Sequence, residues 1–252
     1  MPEAYLCEIV AKKNISDVIV SVSVAAAGLA ETVRAGQFIH IRCGDARILR
    51  RPFGVCSLSG GVLEFVFEIK GGGTRWLSGR SPGDLLDILG PLGNGYRIGE
   101  GNIIVVGGGL GSPPMLFAAM SAKGTVTAVL GFRELSRVMM VSEYEAVCEK
   151  VYVTTDDGSY GIHGTVATPL TQLLERGGYE TVLACGQRAM LAAVAELCAK
   201  YGVPCQVSME ERMGCGVGAC VVCACATMSG GVEKMSRVCK DGPVFDASEV
   251  FF

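Results

Sequence analysis

The sequence predicts a chain of three parts, and a different pattern marks each of them. Residues 1–98 contain short β-rich runs separated by glycine turns, which predicts a small antiparallel β-barrel or a β-sandwich. Residues 99–208 alternate apolar strands with helical stretches, which is typical of a doubly wound parallel α/β domain. Residues 209–252 combine closely spaced cysteines with glycines, which indicates a small C-terminal module.

Composition narrows the class of protein. The 252 residues suffice for more than one packed core; half of them are hydrophobic and 19% are charged. The net charge is −3 and no cluster of Lys and Arg stands out, so the sequence does not predict a basic surface that would bind nucleic acid. The longest weakly polar run, residues 18–30, is too short to span a bilayer. We therefore expect no nucleic-acid partner and no membrane segment.

Twelve cysteines occur in a chain whose N-terminus lacks the apolar core of a signal peptide. This combination predicts a reducing, cytoplasmic location without a disulfide framework. Seven of the cysteines lie in apolar stretches and are mostly expected to be small buried hydrophobic residues: Cys7, Cys43, Cys56, Cys148, Cys185, Cys198 and Cys205.

Five β-rich runs predict the strands of the first part: 4–10, 17–24, 37–42, 62–69 and 85–88. Between them, Arg51 and Pro52 begin a stretch with a chemical signal, because Pro52 stiffens the chain beside a guanidinium. Such an arginine can face a phosphate or the edge of a flavin ring. The alternative is an ordinary strand start with a solvated arginine pair.

A triple-glycine turn follows the strand at 62–69. Thr74 can cap a helix that begins at residues 75–77, and the amides of such a helix start can bind a pyrophosphate. A flexible hairpin tip is the alternative. The turns at 89–95 suggest a domain boundary or a loop shaped around a ligand.

The second part has predicted strands at 103–106, 126–130, 151–155, 181–184 and 204–208, and predicted helices at 116–122, 142–149, 166–175 and 189–201. Its first strand leads into a glycine run and two prolines, which build a helix start that can face a diphosphate. Ser112 interrupts the regular dinucleotide-binding motif. Cys185 follows a later strand, where its thiol can lie near a nicotinamide or be buried before a turn. The two histidines, His40 and His163, form no predicted catalytic or metal pair.

The third part contains the strongest motif, C-x4-C-x2-C, followed by a single later cysteine. Plant-type ferredoxins bind a [2Fe–2S] cluster with this spacing, because four thiolates must surround two irons bridged by two sulfides. The glycines of the loop give its backbone the freedom that such a tight turn needs. A structural zinc site is the alternative, although a zinc ribbon usually has two C-x2-C pairs. Cys225 is expected to be a neighbouring free thiol.

With these motifs in order, the chain resembles the ferredoxin–NADP reductase superfamily with an added C-terminal [2Fe–2S] module. Within it, the chain is most similar to the electron-transfer subunits of type B dihydroorotate dehydrogenases. The resemblance covers essentially the whole chain and rests on the motifs at 50–55, 71–74, 105–115, 154–161, 184–191, 210–223 and 238–250. The last two are the most diagnostic.

The resemblance implies a set of site residues. FAD would be bound by Arg51, Pro52, Phe53, Gly54, Glu68, Ile69, Lys70, Gly73 and Thr74. NAD would be bound by Gly107, Gly108, Gly109, Gly111, Cys185 and Gly186. The cluster would be ligated by Cys215, Cys220, Cys223 and Cys239. Related reductases usually carry a hydroxyl residue at the position of Gly54, so a side-chain hydrogen bond to the flavin from there is in question.

The resemblance also implies a partner, an FMN-containing dihydroorotate dehydrogenase catalytic subunit in a heterotetramer with two copies of each chain. Electrons would cross this chain through the cluster and FAD to NAD+, with no acid–base residue required of it. The surface around residues 213–225 is then expected to be an apolar docking patch.

Other functions remain open at this point. One is a reductase-like subunit of a bifurcating or stand-alone NAD(P)H:acceptor oxidoreductase. Cys215 favours the dihydroorotate branch, because the bifurcating relatives have an aspartate as first cluster ligand. Another is a redox sensor, which the acidic balance and the lack of a DNA-reading motif disfavour. Arg133 follows the second strand of the α/β part, where the ribose phosphate of NADP would be recognised, but the adjacent Glu134 would repel that phosphate. The preference for NAD or NADP is therefore left open.

Overall fold

A computed structural model describes residues 3–252 of the protein. Its first part is a closed six-stranded antiparallel barrel with the strand order β1–β2–β5–β4–β3–β6, as predicted. The strands are β1 (Glu3–Asn14), β2 (Ile19–Ala25), β3 (Phe38–Ile41), β4 (Arg51–Ser59), β5 (Val62–Glu68) and β6 (Leu85–Leu92), with a short helix α1 (Ala27–Ala30) after β2. Strand β4 covers the arginine–proline stretch, for which the sequence indicated at most a strand start.

Alternation along the strands builds the barrel core. In β2, Val20, Val22 and Val24 are buried in the main core cluster, whereas Ser21 and Ser23 lie between them. β-Branched residues suit such a pleated, half-buried surface. The Ser21 hydroxyl donates to the Glu64 carboxylate of the neighbouring strand. The face of each strand is therefore decided by the period of two in the sequence.

The helix after the glycine turn, α2 (Gly72–Ser78), begins three residues earlier than predicted. Thr74 lies inside its first turn, where its Oγ1 accepts the N–H groups of Lys70 at 2.9 Å and Gly71 at 3.1 Å. Thr74 thus closes the turn from within the helix rather than from the position before it. The alternative of a flexible hairpin tip was wrong, because an ordered helix follows the glycines.

The second part is a parallel sheet with helices between its strands, as predicted. Its elements are β7 (Ile103–Gly108), α3 (Ser112–Met120), β8 (Val126–Phe132), α4 (Val141–Glu145), β9 (Lys150–Thr155), β10 (Ile162–His163), α5 (Ala167–Arg176), β11 (Thr181–Cys185), α6 (Arg188–Tyr201) and β12 (Cys205–Ser208). The order β10–β9–β8–β7–β11–β12 reverses direction between β7 and β11. Ligands bind at such a switch point, outside the carboxyl ends of the strands.

The C-terminal segment contributes to two sheets. Strands β13 (Ala224–Ser229) and β14 (Val232–Arg237) form a separate antiparallel hairpin. Strand β15 (Val244–Asp246) pairs antiparallel with β12 and becomes the seventh strand of the parallel sheet. The sheet of the second part therefore takes its last strand from the segment predicted as the third. The division at residues 98 and 208 stays a prediction.

Within residues 3–252, no helix combines the length and apolar character needed to cross a membrane.

Candidate functional site

The four cysteines of the C-terminal motif lie together as two pairs. Cys215 and Cys220 form one, since the N–H of Cys215 donates to Cys220 Sγ at 3.3 Å and that of Cys220 to Cys215 Sγ at 3.4 Å. Cys223 and Cys239 form the other, with the N–H of Cys239 3.4 Å from Cys223 Sγ. The Gly218 amide joins the pairs by donating to Cys239 Sγ at 3.1 Å. Two thiol pairs fit two irons that take two thiolates each.

The same arrangement disfavours a single zinc ion. A zinc ribbon usually has two C-x2-C pairs, whereas this segment has one such pair, Cys220 and Cys223, and a single later cysteine, Cys239. Cys225 is buried on β13, outside the loop that holds the first three cysteines. The donor set therefore fits a two-iron cluster and leaves Cys225 out.

Backbone amides favour the thiolate at the first cysteine. Burial by itself would raise the pKa of Cys215, but the N–H groups of Cys220, Val217 and Ala219 outweigh it and lower the pKa to about 6. A thiolate is the form that binds iron. At Cys239, burial raises the pKa to about 12, so a metal that takes this thiolate releases a proton.

Val221 has φ +60, the left-handed conformation that a β-branched residue rarely adopts. Such backbone costs about 1–3 kcal/mol and persists only where its surroundings enforce it. Val221 lies between Cys220 and Cys223, and the loop must bend there to serve both cysteine pairs.

The loop that carries the first three cysteines, residues 215–223, is called the cluster loop. It packs on the outer face of β3 in the barrel. Ile39 and Ile41 belong to the barrel core, whereas Phe38 belongs to the core that contains Cys223 and Cys239. Because side chains alternate along a strand, His40 shares the outer face with Phe38.

His40 lies directly against the loop. A Cβ at Gly216, whose φ is +73, would be 2.5 Å from His40 Nδ1, so both the backbone conformation and this contact require glycine. On the other side, β3 pairs with β4 and His40 is opposite Pro52. Burial and the charge of Arg50 lower the pKa of His40 to about 4, so its ring is neutral at pH 7.

Two arginines lie over the glycine turn that begins α2. A Cβ at Gly72 would overlap the guanidinium of Arg47, and one at Gly73 would lie 2.9 Å from Arg51 Nε. Two guanidinium groups beside the amides of a helix start suit a pyrophosphate. The residues present therefore fit the FAD that the motif predicts. Nothing in the sequence singled out Arg47, which lies in a loop four residues before Arg51.

Gly54 faces the second part of the chain. A Cβ at this position would lie 3.0 Å from Pro114 Cβ in α3, so a hydroxyl side chain would require Pro114 to shift by a few tenths of an ångström. Phe53 turns the other way, with its ring centroid 5.3 Å from that of Phe65 and 5.6 Å from that of Phe67. Its side chain therefore packs in the barrel core.

Glu68, at the end of β5, is held by two cations. Its carboxylate accepts from Lys70 Nζ at 2.8 Å and from Arg137 Nη1 at 2.6 Å. Burial by itself would raise the pKa of Glu68, but the hydrogen bonds from Lys70 and Arg137 outweigh it and lower the pKa. Arg137 follows β8, so this ion pair joins the barrel to the sheet. Ile69 is partly buried and packs against the main hydrophobic core.

The residues predicted to bind NAD meet at the carboxyl ends of β7 and β11. Gly107 is paired with Cys185, and a Cβ at Gly111 would overlap the Cys185 carbonyl. A Cβ at Gly186 would lie 3.2 Å from Gly108 Cα, so the two turns touch through their backbones. The remaining glycine of the run, Gly109, has φ +53. This is the crevice at the switch point of the sheet, which fits a dinucleotide.

A cavity of about 360 Å³ opens beside this crevice, lined by Gly186, Gln187, Arg188, Ala189, Leu191, Met209 and Glu210. It lies between the end of β11 and the first residues of the C-terminal segment. Burial raises the pKa of the Cys185 thiol to about 12, so this thiol stays protonated and is not a nucleophile at neutral pH.

Residues 210–251 match the family described as the iron–sulfur cluster binding domain of dihydroorotate dehydrogenase B. The chain is 40% identical over 219 residues to the dihydroorotate dehydrogenase B (NAD(+)) electron transfer subunit of Caldanaerobacter subterraneus subsp. tengcongensis, with 86% of this chain and 87% of the relative covered. The protein of that name from Geobacillus thermodenitrificans is 40% identical over 235 residues, with 88% of each chain covered.

Solved structures show the same fold. A chain of the NADH-dependent reduced ferredoxin–NADP oxidoreductase, studied for flavin-based electron bifurcation, superimposes with a TM-score of 0.87 at 30% identity, and the match covers 100% of this chain and 91% of that one. The ferredoxin reductase of carbazole 1,9a-dioxygenase superimposes with a TM-score of 0.65 at 22% identity, covering 81% of this chain and 67% of the other. The latter likeness concerns the fold alone.

Proposed function

Because the chain belongs to the family of dihydroorotate dehydrogenase B electron transfer subunits, we propose that it passes electrons from the FMN of a catalytic subunit through a [2Fe–2S] cluster and FAD to NAD+. The oxidation of dihydroorotate makes this a step of pyrimidine (UMP) biosynthesis. The family and the oxidoreductase class predicted from the motifs are confirmed.

One observation supports the proposal above all others. Strand β3 has the cluster loop on its outer face and the FAD motif of β4 as its hydrogen-bonded neighbour. The proposed cluster site against β3 and the proposed FAD site at β4 thus lie at two neighbouring strands. No further domain has to move to bring them together.

In this proposal the residues of the chain bind the cofactors and orient them. Arg47 and Arg51 hold the pyrophosphate at the glycine turn, and the crevice between β7 and β11 receives the nicotinamide dinucleotide. Cys215, Cys220, Cys223 and Cys239 hold the cluster. FAD supplies the conversion between the two-electron chemistry of a nicotinamide and the one-electron chemistry of an iron–sulfur cluster. No side chain is assigned as acid or base, in keeping with the protonated thiol of Cys185.

The relatives are named as subunits, which implies a catalytic subunit as partner. That this partner contains FMN, and that two copies of each chain assemble, are parts of the proposal. Three exposed valines support a docking surface beside the cluster: Val217, Val221 and Val222 are 43%, 55% and 58% exposed. Exposed apolar side chains grouped in one loop are typical of interaction sites. We place the complex in the cytoplasm, where thiols remain reduced.

The test is reconstitution with and without the partner. The isolated chain should retain FAD and iron and should oxidise NADH with a dye as acceptor. It should reduce NAD+ at the expense of dihydroorotate only after a catalytic subunit is added. Oxidation of dihydroorotate by the isolated chain would contradict this division of labour, as would purification without flavin.

The structural likeness to the bifurcating oxidoreductase supports a second candidate, a reductase-like subunit of such a complex. The two candidates differ in the protein that copurifies from the native cell. An FMN-bearing barrel supports the first, and a larger flavoprotein with [4Fe–4S] clusters supports the second.

A further inference from the structure

His40 is a buried side chain without a role in the proposed function so far. It is 0% exposed, and neither ring nitrogen has a hydrogen-bond partner within residues 3–252. Buried polar groups in folded proteins are nearly always hydrogen-bonded, because an unpaired one costs about 1–3 kcal/mol. A histidine kept here despite that cost indicates a partner that the polypeptide does not provide.

The surroundings of the ring narrow the choice of partner. Nδ1 faces Gly216, the residue after the first predicted cluster ligand, and the backbone of Cys215 lies beside the ring. On the barrel side the Arg50 backbone also lies near the ring, but neither it nor the Cys215 backbone is within hydrogen-bonding geometry of a ring nitrogen. The other barrel neighbours are apolar: Ile39 and Ile41 lie beside His40 in β3, and Phe38 packs edge-on with a centroid distance of 6.4 Å. The ring is therefore directed at the cluster loop.

The position of His40 in the sheet connects the two proposed redox sites. Its carbonyl accepts from Arg50 Nη1 at 3.3 Å, and its backbone is paired with Pro52. The same residue thus contacts the FAD motif through its backbone and the cluster loop through its ring.

We propose that His40 is a positioning residue for the cluster, which donates a ring N–H to a cluster sulfur on the Cys215 side. The proposal rests on the function proposed above. Such a hydrogen bond stabilises the reduced, more negative cluster more than the oxidised one, and so raises its reduction potential. It also holds the cluster loop against the strand that neighbours the FAD motif.

The test begins with full-length protein in which histidine carries the heavy nitrogen isotope, reduced with dithionite and measured by pulsed EPR. The chain has only two histidines, and His163 lies on the edge strand β10 at the far side of the sheet. A histidine nitrogen coupled to the reduced cluster, and retained in the His163→Gln variant, supports the proposal. A [2Fe–2S] signal without that coupling overturns it. A protein without any [2Fe–2S] signal overturns the proposed function itself.

Two variants test the effect on the cluster. His40→Leu removes the N–H donor at similar volume, and His40→Gln keeps one. We expect a more negative cluster potential and altered EPR g-values in His40→Leu, with most of the change rescued in His40→Gln. A wild-type potential and spectrum in His40→Leu would overturn the proposal. If His40→Leu does not fold, the isotope measurement on the native protein decides.

Discussion

Arg137 donates from Nη1 to the carboxylate of Glu68 at 2.6 Å, and this pair joins the segment after β8 to the end of β5. The Glu68 side chain is 15% exposed and that of Arg137 is 39% exposed. The pair therefore lies where the barrel meets the sheet, partly shielded from water. Its energetic value can be measured in a double-mutant cycle.

We expect Glu68→Gln and Arg137→Ala to be coupled by about 0.5–1 kcal/mol in the free energy of unfolding, because the pair is only partly buried. Denaturant unfolding at low and high salt measures this coupling, which should shrink as salt rises. The pair Lys123–Glu100 is the matched control, since both of its side chains are at least 74% exposed. Equal coupling in the two pairs would contradict the shielding of Glu68.

The pair also has a pH dependence. Because the folded pKa of Glu68 lies below its ordinary value of 4.5, its stabilising contribution is fully present above that value. It is lost as the pH falls from there through the lower folded pKa. The difference in unfolding free energy between wild type and Glu68→Gln should therefore shrink in this acid range. A difference that grows on acidification would contradict the lowered folded-state pKa of Glu68.

Gly54→Ser should destabilise the protein by about 1–3 kcal/mol and lower its FAD content, because the new side chain meets Pro114 in a packed interface. Thermal unfolding and flavin absorbance measure both effects. Gly79→Ala is the control: its φ is −83 and its nearest contact would be an ordinary 3.4 Å. A Gly54→Ser protein with normal stability and flavin would show that α3 can move away.

Arg47→Ala and Arg51→Ala should each weaken FAD binding about 10- to 100-fold, the usual effect of removing a hydrogen bond to a charged group. Flavin fluorescence titration of the apoprotein measures the dissociation constants. Arg75→Ala is the control, because Arg75 is an exposed residue of the same helix whose guanidinium donates to the Lys70 carbonyl. If all three variants bind FAD alike, the arginines do not form the pyrophosphate site.

Cys223→Ser should lose most of the bound iron, whereas Cys225→Ala should keep about two irons per chain. Both cysteines are buried and only two residues apart, so the comparison separates ligation from packing. Iron and sulfide analysis with visible circular dichroism measures the outcome. Equal loss of iron in both variants would indicate either that Cys225 is a ligand or that the segment does not tolerate substitution.

Val222→Asp should weaken the complex with the catalytic subunit by a factor of about 10 or more, since a charge would have to be desolvated in an apolar contact. Its iron content should stay normal, because the side chain is 58% exposed. Val147→Asp, 40% exposed after α4, is the control on another surface. Sedimentation or light scattering of the mixed subunits gives the affinities, and equal affinities would place the interface elsewhere.

Local sequence patterns sufficed to predict the barrel, the parallel α/β sheet and the C-terminal cysteine motif. These are local properties: strand alternation has a period of two, and the ligand spacing describes one tight loop. The glycine runs at 71–73 and 107–111 marked the right regions of the chain, but Gly72 and Gly73 lie inside α2 and Gly107 and Gly108 lie at the end of β7. The helix predicted at 116–122 begins four residues earlier, at Ser112. Helix α2 was misplaced by three residues, because Thr74 acts from inside the first turn and not before it.

The tertiary structure alone decided which distant side chains meet. Arg47 over Gly72, Pro114 against Gly54, and His40 against Gly216 each join residues from separate elements, and no periodicity encodes such a contact. Strand β15 likewise crosses from the C-terminal segment into the sheet of the second part. Local patterns fix which face of an element is buried, but what covers that face depends on how the closed barrel and the sheet pack together.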